Sequence, residues 1–164
     1  GGYQLVGKGR AAGQEITGAY DLVATGTLYP TAAIRLKASA PDAVAVLNGI
    51  SVLGITNNAN YRWELVNGAT TISGGTWVSA GADSPVEINT TATGIDGGQS
   101  LVHGFSIGSN QGSTVTDLST NDLFKYQLQR NSFDGTSNIL ALVVSTQSAG
   151  ADVLTALNWE EVNY

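Results

Sequence analysis

The chain has 164 residues, a length that suits one domain, and it contains no cysteine, which excludes disulfides and thiolate metal sites. Charged residues make up only 12% and glycine accounts for 21 residues, a composition typical of extracellular and particle-surface β-proteins. The net charge of −6 disfavours binding to nucleic-acid phosphates or anionic membranes, and no apolar run is long enough for a transmembrane helix.

The first 18 residues are rich in glycine and show no hydrophobic periodicity, so they predict an extended N-terminal arm. Residues 1–40 carry a net charge of +2, from four basic and two acidic side chains, against −8 for residues 41–164, from three basic and eleven acidic ones. A basic leading region can dock on an acidic neighbour, although a weakly charged chain also reaches such a difference by chance. We expect partner contacts at four arm residues: Tyr3, Leu5, Lys8 and Arg10.

After the arm, residues 19–25 and 32–40 predict two strands. Residues 32–40 alternate between apolar side chains and the charged Arg35 and Lys37. This is the pattern of a strand with one face in the core and the other in solvent.

Residues 43–55 form a longer and more apolar run with Asn48 and Gly49 at its centre. Asn-Gly between β-branched residues favours a two-residue hairpin turn, which would divide the run into two strands. The alternative is a single strand with a β-bulge at Gly49.

The clearest amphipathic strand covers residues 60–66. Its apolar face holds Tyr61, Trp63 and Leu65, and its charged face holds Arg62 and Glu64. Further strands are expected at residues 76–79, 85–90, 99–107 and 123–130, with turns at residues 96–97 and 134–135 and a polar loop at residues 108–120.

Residues 139–162 predict a hairpin that closes the domain. An apolar run at residues 139–144 meets a small-residue turn at residues 148–150, and a second run follows. That second run places four side chains on one face: Val153, Thr155, Leu157 and Trp159. Residues 151–162 also approximate helical spacing, but their alternating β-branched content favours a strand.

Together the chain holds about nine to eleven short strands at spacings of roughly ten residues. The sequence therefore predicts an all-β fold, an antiparallel β-sandwich that is jelly-roll-like. Residues 19–164 would form this single domain, behind the arm of residues 1–18.

His103 is the single histidine, and any Ser-His-Asp triad would have to use it, with Asp83 or Asp117 as the acid. The chain has no Gly-x-Ser-x-Gly elbow, and one histidine is too few for a typical zinc site. A structural or partner-contacting role is therefore favoured for His103.

None of the 13 carboxylates lies in the acid/base context of a glycosidase. Glu160 and Glu161 are adjacent and so face opposite ways on a strand, and both are expected to be solvated charges. Calcium is the one metal that the sequence leaves open, because Asp117, Asp122 and Asp134 offer loop oxygens, but EF-hand spacing is missing. The sequence thus predicts neither an enzyme nor a cofactor.

An ordered set of segments resembles tailed-bacteriophage accessory virion proteins. The segments are IRLKASA (34–40), VLNGISVLGITNNANYRWELV (46–66), GTWVSAGADSPVEIN (75–89), TGIDGGQSLVHGFSIGSNQ (93–111) and ILALVVSTQSAGADVLTALNWEEV (139–162). The resemblance rests on their order along the chain.

The resemblance implies a structural protein on the virion surface, most directly a capsid decoration or cement protein. A head fibre or a tail-associated β-module belongs to the same class. Such a protein would bind the major capsid protein or other virion subunits and stabilise the shell, and it would have no catalytic residues. Modules of this kind form symmetric oligomers, so we expect a homo-oligomer, with a trimer as the specific prediction.

Aromatic residues support an alternative hypothesis, a receptor- or carbohydrate-binding adhesin module of a phage fibre or tail. Three tryptophans lie on predicted strands, where packing in the core is the default: Trp63, Trp77 and Trp159. Three tyrosines lie in the leading region and are expected to be freer to contact partners: Tyr3, Tyr20 and Tyr29.

Overall fold

The structure, a computed structural model, describes residues 8–15, 19–107, 115–117, 126–130 and 135–163. For β1 and β11 only the backbone is described. The described strands are β1 (Lys8–Glu15), β2 (Tyr20–Leu22), β3 (Tyr29–Leu36), β4 (Val44–Gly54), β5 (Asn60–Asn67), β6 (Thr71–Ser73), β7 (Val78–Ser79), β8 (Val86–Asn89), β9 (Gly94–Asp96), β10 (Gln99–Ile107), β11 (Val115–Asp117), β12 (Tyr126–Gln127), β13 (Leu140–Thr146) and β14 (Ala151–Asn163). Across these ranges no helix has the length and apolar character needed to cross a membrane.

Sheet A is built around two long antiparallel strands, β4 and β14. On its other side β14 pairs with β1 and β2, and β4 pairs in the same way with β11 and β12. Each outer column of sheet A therefore consists of two short strands arranged end to end.

Sheet B has the order β10-β5-β13-β3-β8-β7, with every described pair antiparallel. Its inner face packs on sheet A around the main core, whose largest side chains include Trp159, Tyr61, Ile34, Leu47, Ile50 and Leu157. The fold is therefore an antiparallel β-sandwich, as the sequence predicts. The amphipathic strand at residues 60–66 is confirmed as β5, with its apolar face in this core.

A third, small sheet, sheet C, consists of β6 and β9 and covers part of the outer face of sheet B. Ile72 and Ile95 from sheet C pack with Trp77 on a second apolar cluster that includes Val66 and Val143. Strand β13 is consequently buried along its whole length. A strand covered on both faces has a continuous apolar run instead of alternation, as in its sequence LALVVST.

The predicted turn at Asn48-Gly49 is wrong, because residues 44–54 form one strand, β4. In the register with β14, Gly49 lies opposite Asn158 and Leu47 lies opposite Trp159, so Asn48 is the extra residue of a β-bulge. The alternative interpretation, a bulge, is therefore confirmed. The bulge shifts the alternation by one residue, which lets both halves of β4 present apolar side chains to the core.

The predicted closing hairpin is also wrong, although both of its strands are present and the helical alternative for residues 151–162 is excluded. Strand β13 pairs with β3 and β5 in sheet B, whereas β14 pairs with β1, β2 and β4 in sheet A. The turn at residues 148–150, which ends at Gly150 with φ of 78°, therefore crosses between sheets. Strands in facing sheets bury their apolar sides against each other, so their pattern alone does not distinguish this arrangement from a hairpin.

Strand β3 begins at Tyr29, earlier than expected, and its outer face is not simply solvated. The Arg35 guanidinium carbon lies 4.1 Å from the centroid of the Trp77 ring. The Nε of Arg35 donates to Oε1 of Glu87 at 3.1 Å. Neighbouring strand β8 and the segment before β7 thus cover the charged side of β3.

Candidate functional site

Sheet C covers only part of the outer face of sheet B, and in the part of the chain that the structure describes Phe105 of β10 is exposed beyond it and Arg62 of β5 is half-exposed. Directly opposed residues of antiparallel strands share a face, and the register aligns Phe105 with Arg62, Arg62 with Ser145, and His103 with Glu64. We call the surface formed by Arg62, Glu64, His103, Phe105 and Ser145 the open face. It is the candidate functional site.

Phe105 is the most unusual member of the open face because 75% of it is exposed. Its ring borders a cleft of about 140 Å³ that Arg62, Ser145 and Gln147 also line. Burying a phenylalanine side chain stabilises a protein by roughly 2 kcal/mol. A partner that covers Phe105 would gain a contribution of this size.

Further apolar side chains lie beside the open face. Leu101 of β10 is exposed, as is Leu28 in the segment between β2 and β3. Leu28 lines a groove of about 360 Å³ together with Glu64. A clustered set of exposed apolar side chains is typical of protein–protein contact surfaces.

The charges of the open face largely cancel. Glu64 is 8% exposed, and its Oε2 lies 3.4 Å from Nη2 of Arg62. His103 is exposed and is the register partner of Glu64. Because Arg62 and Glu64 neutralise each other, a neighbouring acidic chain can approach this surface with little repulsion.

Strand β10 forms one edge of sheet B, and among the described residues no strand pairs with its outer side. Natural proteins protect such edges with lysine, proline, inward charges or bulges. The sequence of β10, QSLVHGFSI, has no lysine, proline or carboxylate, and its register irregularity lies between Ser100 and Val102, at the end away from Phe105. The edge is therefore suited to strand addition by a partner, with Phe105 as a side-chain anchor.

The four predicted partner-binding residues are only partly described. Tyr3 and Leu5 lie outside the described residues. Lys8 and Arg10 lie on β1, where the backbone register places Lys8 opposite Asn163 and Arg10 opposite Glu161 of β14. Their backbone thus joins sheet A of the same chain, and docking of the arm on a neighbour stays a prediction.

Glu161 corrects the expectation that both terminal glutamates are solvated. Glu160 is exposed, but Glu161 is only 1% exposed. The Glu161 carboxylate accepts hydrogen bonds from Nε1 of Trp159, at 2.8 Å, and from Oγ of Ser84. Ser84 precedes β8 of sheet B, so this buried carboxylate connects the two sheets. The alternation along β14 indicates this burial, because Glu161 lies two residues after Trp159 and four after Leu157 and therefore faces the core as they do.

Two of the three tryptophans lie as expected, and two tyrosines do not. Trp77 lies just before β7, outside any described strand, and is half-buried against Arg35. Trp63 and Trp159 are buried in the core. Tyr29 is also buried and its hydroxyl accepts a hydrogen bond from the Ala24 amide at 2.9 Å, so it is not free to contact partners. The Tyr20 ring lies 5.9 Å from that of Tyr29.

Tyr20 is held in place by its hydroxyl, which donates to the carbonyl of Ala92. Burial, together with the nearby Tyr29 phenol, raises the pKa of Tyr20 to about 12. The expectation that Tyr20 is free is therefore wrong, and Tyr3 lies outside the described residues. Among those described, Phe105 is the one exposed aromatic side chain.

In the part of the chain that the structure describes, no group of three or more His, Cys, Asp or Glu side chains could hold a metal ion. Of the calcium candidates, Asp122 and Asp134 lie outside the described residues, and for Asp117 only the backbone on β11 is described. The register partner of His103 is Glu64, not either aspartate considered for a triad.

Comparison with protein-family models finds none that matches the chain, and comparison with curated proteins finds no significant match.

Proposed function

We propose that the chain is a structural component of a bacteriophage virion, a capsid decoration or cement protein that binds neighbouring shell subunits through β10 and the open face. The observation that carries the proposal is Phe105, a largely exposed apolar side chain on an edge strand without protective charges. The order of the phage-like segments supplies the particle context, and the location would be the particle surface. The proposal assigns no catalytic residue.

Strand addition at β10 would combine backbone hydrogen bonds with apolar burial. Covering the exposed parts of Phe105, Leu101 and Leu28 would contribute about 3 kcal/mol before the cost of association is subtracted. A stable interface buries roughly 800 Å² on each partner, so the contact would extend beyond these side chains onto the open face. A ligand present at about 100 times its Kd stabilises its partner by about 2.7 kcal/mol, which is how a cement protein would strengthen a shell.

The homo-oligomer expected from the resemblance is part of the same proposal. The chain carries a net charge of −6, so contacts between copies should avoid acidic surface. Strand β10 has no acidic residue and the Arg62–Glu64 pair beside it is internally neutralised. These features make the open face suitable for a second copy as well as for a shell subunit.

The proposal is tested by cosedimentation of the chain with phage shells that lack it, together with measurement of its oligomeric state. Phe105→Ser should weaken binding at least tenfold, because it removes most of the apolar area of the anchor. The matched control is Val78→Ser, which changes an exposed apolar residue on β7, the opposite edge of sheet B. Equal binding by the wild type and Phe105→Ser would refute the assignment of this surface.

The arm is tested in parallel by a Lys8→Gln, Arg10→Gln double variant and by removal of residues 1–7. If the arm supplies partner contacts, either change weakens shell binding. The alternative function, a carbohydrate-binding adhesin, would instead give specific hits on a glycan array without saturable binding to shells.

A further inference from the structure

A second site lies at the other end of sheet B from Phe105. A cleft of about 570 Å³ is bordered by the end of β3, the segment after it and the segment that leads into β13. Its apolar wall is formed by Leu36, Ala38, Pro41 and Ile139. This volume falls within the range of small-ligand sites, which is about 300–1,000 Å³.

Arg130 fixes the shape of the cleft and gives it positive charge. Its Nη1 donates to the Gly135 carbonyl at 2.9 Å, and its Nη2 donates to the carbonyls of Lys37 and Ala40 at 2.7 and 2.8 Å. The Nε of Arg130 is buried and has no hydrogen-bond partner among the described residues. Among the described residues no carboxylate forms a salt bridge with this guanidinium, which three backbone carbonyls contact instead.

Arg35 supplies a second guanidinium to the same cleft. Glu87 accepts a hydrogen bond from its Nε, and Trp77 lies against its face, so the side chain is held in position. Glu87 is the only acidic residue among the described lining residues. With two arginines and one glutamate, the described lining of the cleft is positive in a chain whose net charge is −6.

We propose that this cleft binds a carboxylate carried by an acidic peptide segment of a partner protein. A guanidinium matches the planar geometry of a carboxylate, and a partly buried cation is stabilised by an opposite charge. The apolar wall would accept the aliphatic side chain next to the acidic residue. No aromatic ring is among the described lining residues, whereas sugars commonly stack on aromatic rings, and the described lining therefore favours a peptide over an acidic sugar.

The experiment is an NMR titration of the full chain with acetyl-Leu-Asp-Leu-Glu-amide. The matched uncharged probe is acetyl-Leu-Asn-Leu-Gln-amide, and glucuronate serves as the acidic-sugar probe. We expect the acidic peptide to shift the Arg130 Nε–H resonance and the amides of residues 36–41 and 135–139, and the shifts to shrink as salt is added. The uncharged peptide should leave these resonances unchanged.

A pair of variants distinguishes the effect of charge in the cleft on peptide binding from the effect of charge elsewhere. Neither variant changes a hydrogen bond of Arg130. Glu87→Gln removes the carboxylate that competes for Arg35 and should tighten peptide binding about fivefold. Glu160→Gln makes the same change of net charge at an exposed position on sheet A and should leave the affinity unchanged. Equal effects of the two variants would overturn the proposal, as would shifts produced by glucuronate and not by the peptide, or no shifts at all.

Discussion

The buried Glu161 carboxylate gives the sharpest stability prediction, through its donor Ser84. The Ser84 hydroxyl donates to Glu161 and accepts a hydrogen bond from the Val86 amide at 3.1 Å, and Ser84 is itself buried. Ser84→Ala removes both interactions while changing the volume of the core very little. It leaves the carboxylate of Glu161 with one hydrogen bond fewer in a site without access to water.

The magnitude follows from the kind of hydrogen bond that is lost. A hydrogen bond to a charged group contributes about 1.5–3 kcal/mol, and one between neutral groups about 1 kcal/mol. We therefore expect Ser84→Ala to lower the free energy of unfolding by about 2–4 kcal/mol. For a domain of this size that change corresponds to a fall in Tm of roughly 4–16 °C.

The assay is urea unfolding followed by tryptophan fluorescence, and the control is Ser79→Ala. Ser79 lies on β7, close to Ser84, but its hydrogen bonds to Gly81 and Lys37 are exposed. The control should change the unfolding free energy by less than about 0.5 kcal/mol. If Ser84→Ala costs no more than Ser79→Ala, the carboxylate does not connect the sheets in the way described.

Two further predictions concern packing and pH. A Cβ added at Gly104 would lie 2.6 Å from Cζ2 of the buried Trp63 ring, so Gly104→Ala should destabilise the chain by about 1–3 kcal/mol, measured by urea unfolding. The control is Gly94→Ala, whose Cβ would meet Ser73 at an ordinary 3.4 Å and which should destabilise the chain clearly less. Equal destabilisation by the two variants would contradict the close packing of Gly104 on Trp63. The raised pKa of Tyr20 stabilises the fold below the ordinary tyrosine pKa of 10.0, and this contribution should be lost as the pH rises from there to about 12. Allowing for solvent screening, the loss is on the order of 1–2 kcal/mol, and it should be absent from the pH dependence of unfolding in Tyr20→Phe.

The sequence predicts the strands far better than it predicts their partners. Alternation at residues 60–66 identifies β5 and its inward face because the period of side-chain orientation is a local property. The assignment of β13 and β14 to different sheets depends on contacts distant in sequence, and a small-residue turn permits either arrangement. Asn-Gly fits a hairpin turn and a β-bulge equally well, so the local pattern at Asn48 and Gly49 offers the bulge only as the alternative to the turn.

The candidate site was only partly accessible to sequence reasoning. The sequence predicts a structural or partner-contacting role for His103, which lies on the open face, but it contains no signal that identifies Phe105. From the sequence of β10 alone, Phe105 would be predicted to lie in the core. The order and register of the strands in sheet B show that it lies on the outer face of an edge strand. Because a charged residue is usually exposed, Glu161 is predicted in solvent, although the alternation of β14 places its side chain on the inward face.

The central claim, that β10 is the edge to which a virion partner adds, is tested most directly by amide hydrogen exchange of the chain, free and bound to phage shells. We predict that exchange in residues 99–107 slows markedly on binding, while exchange in residues 78–79 at the opposite edge is unchanged. Unchanged exchange in β10, with protection confined to another surface of the bound chain, would contradict the claim.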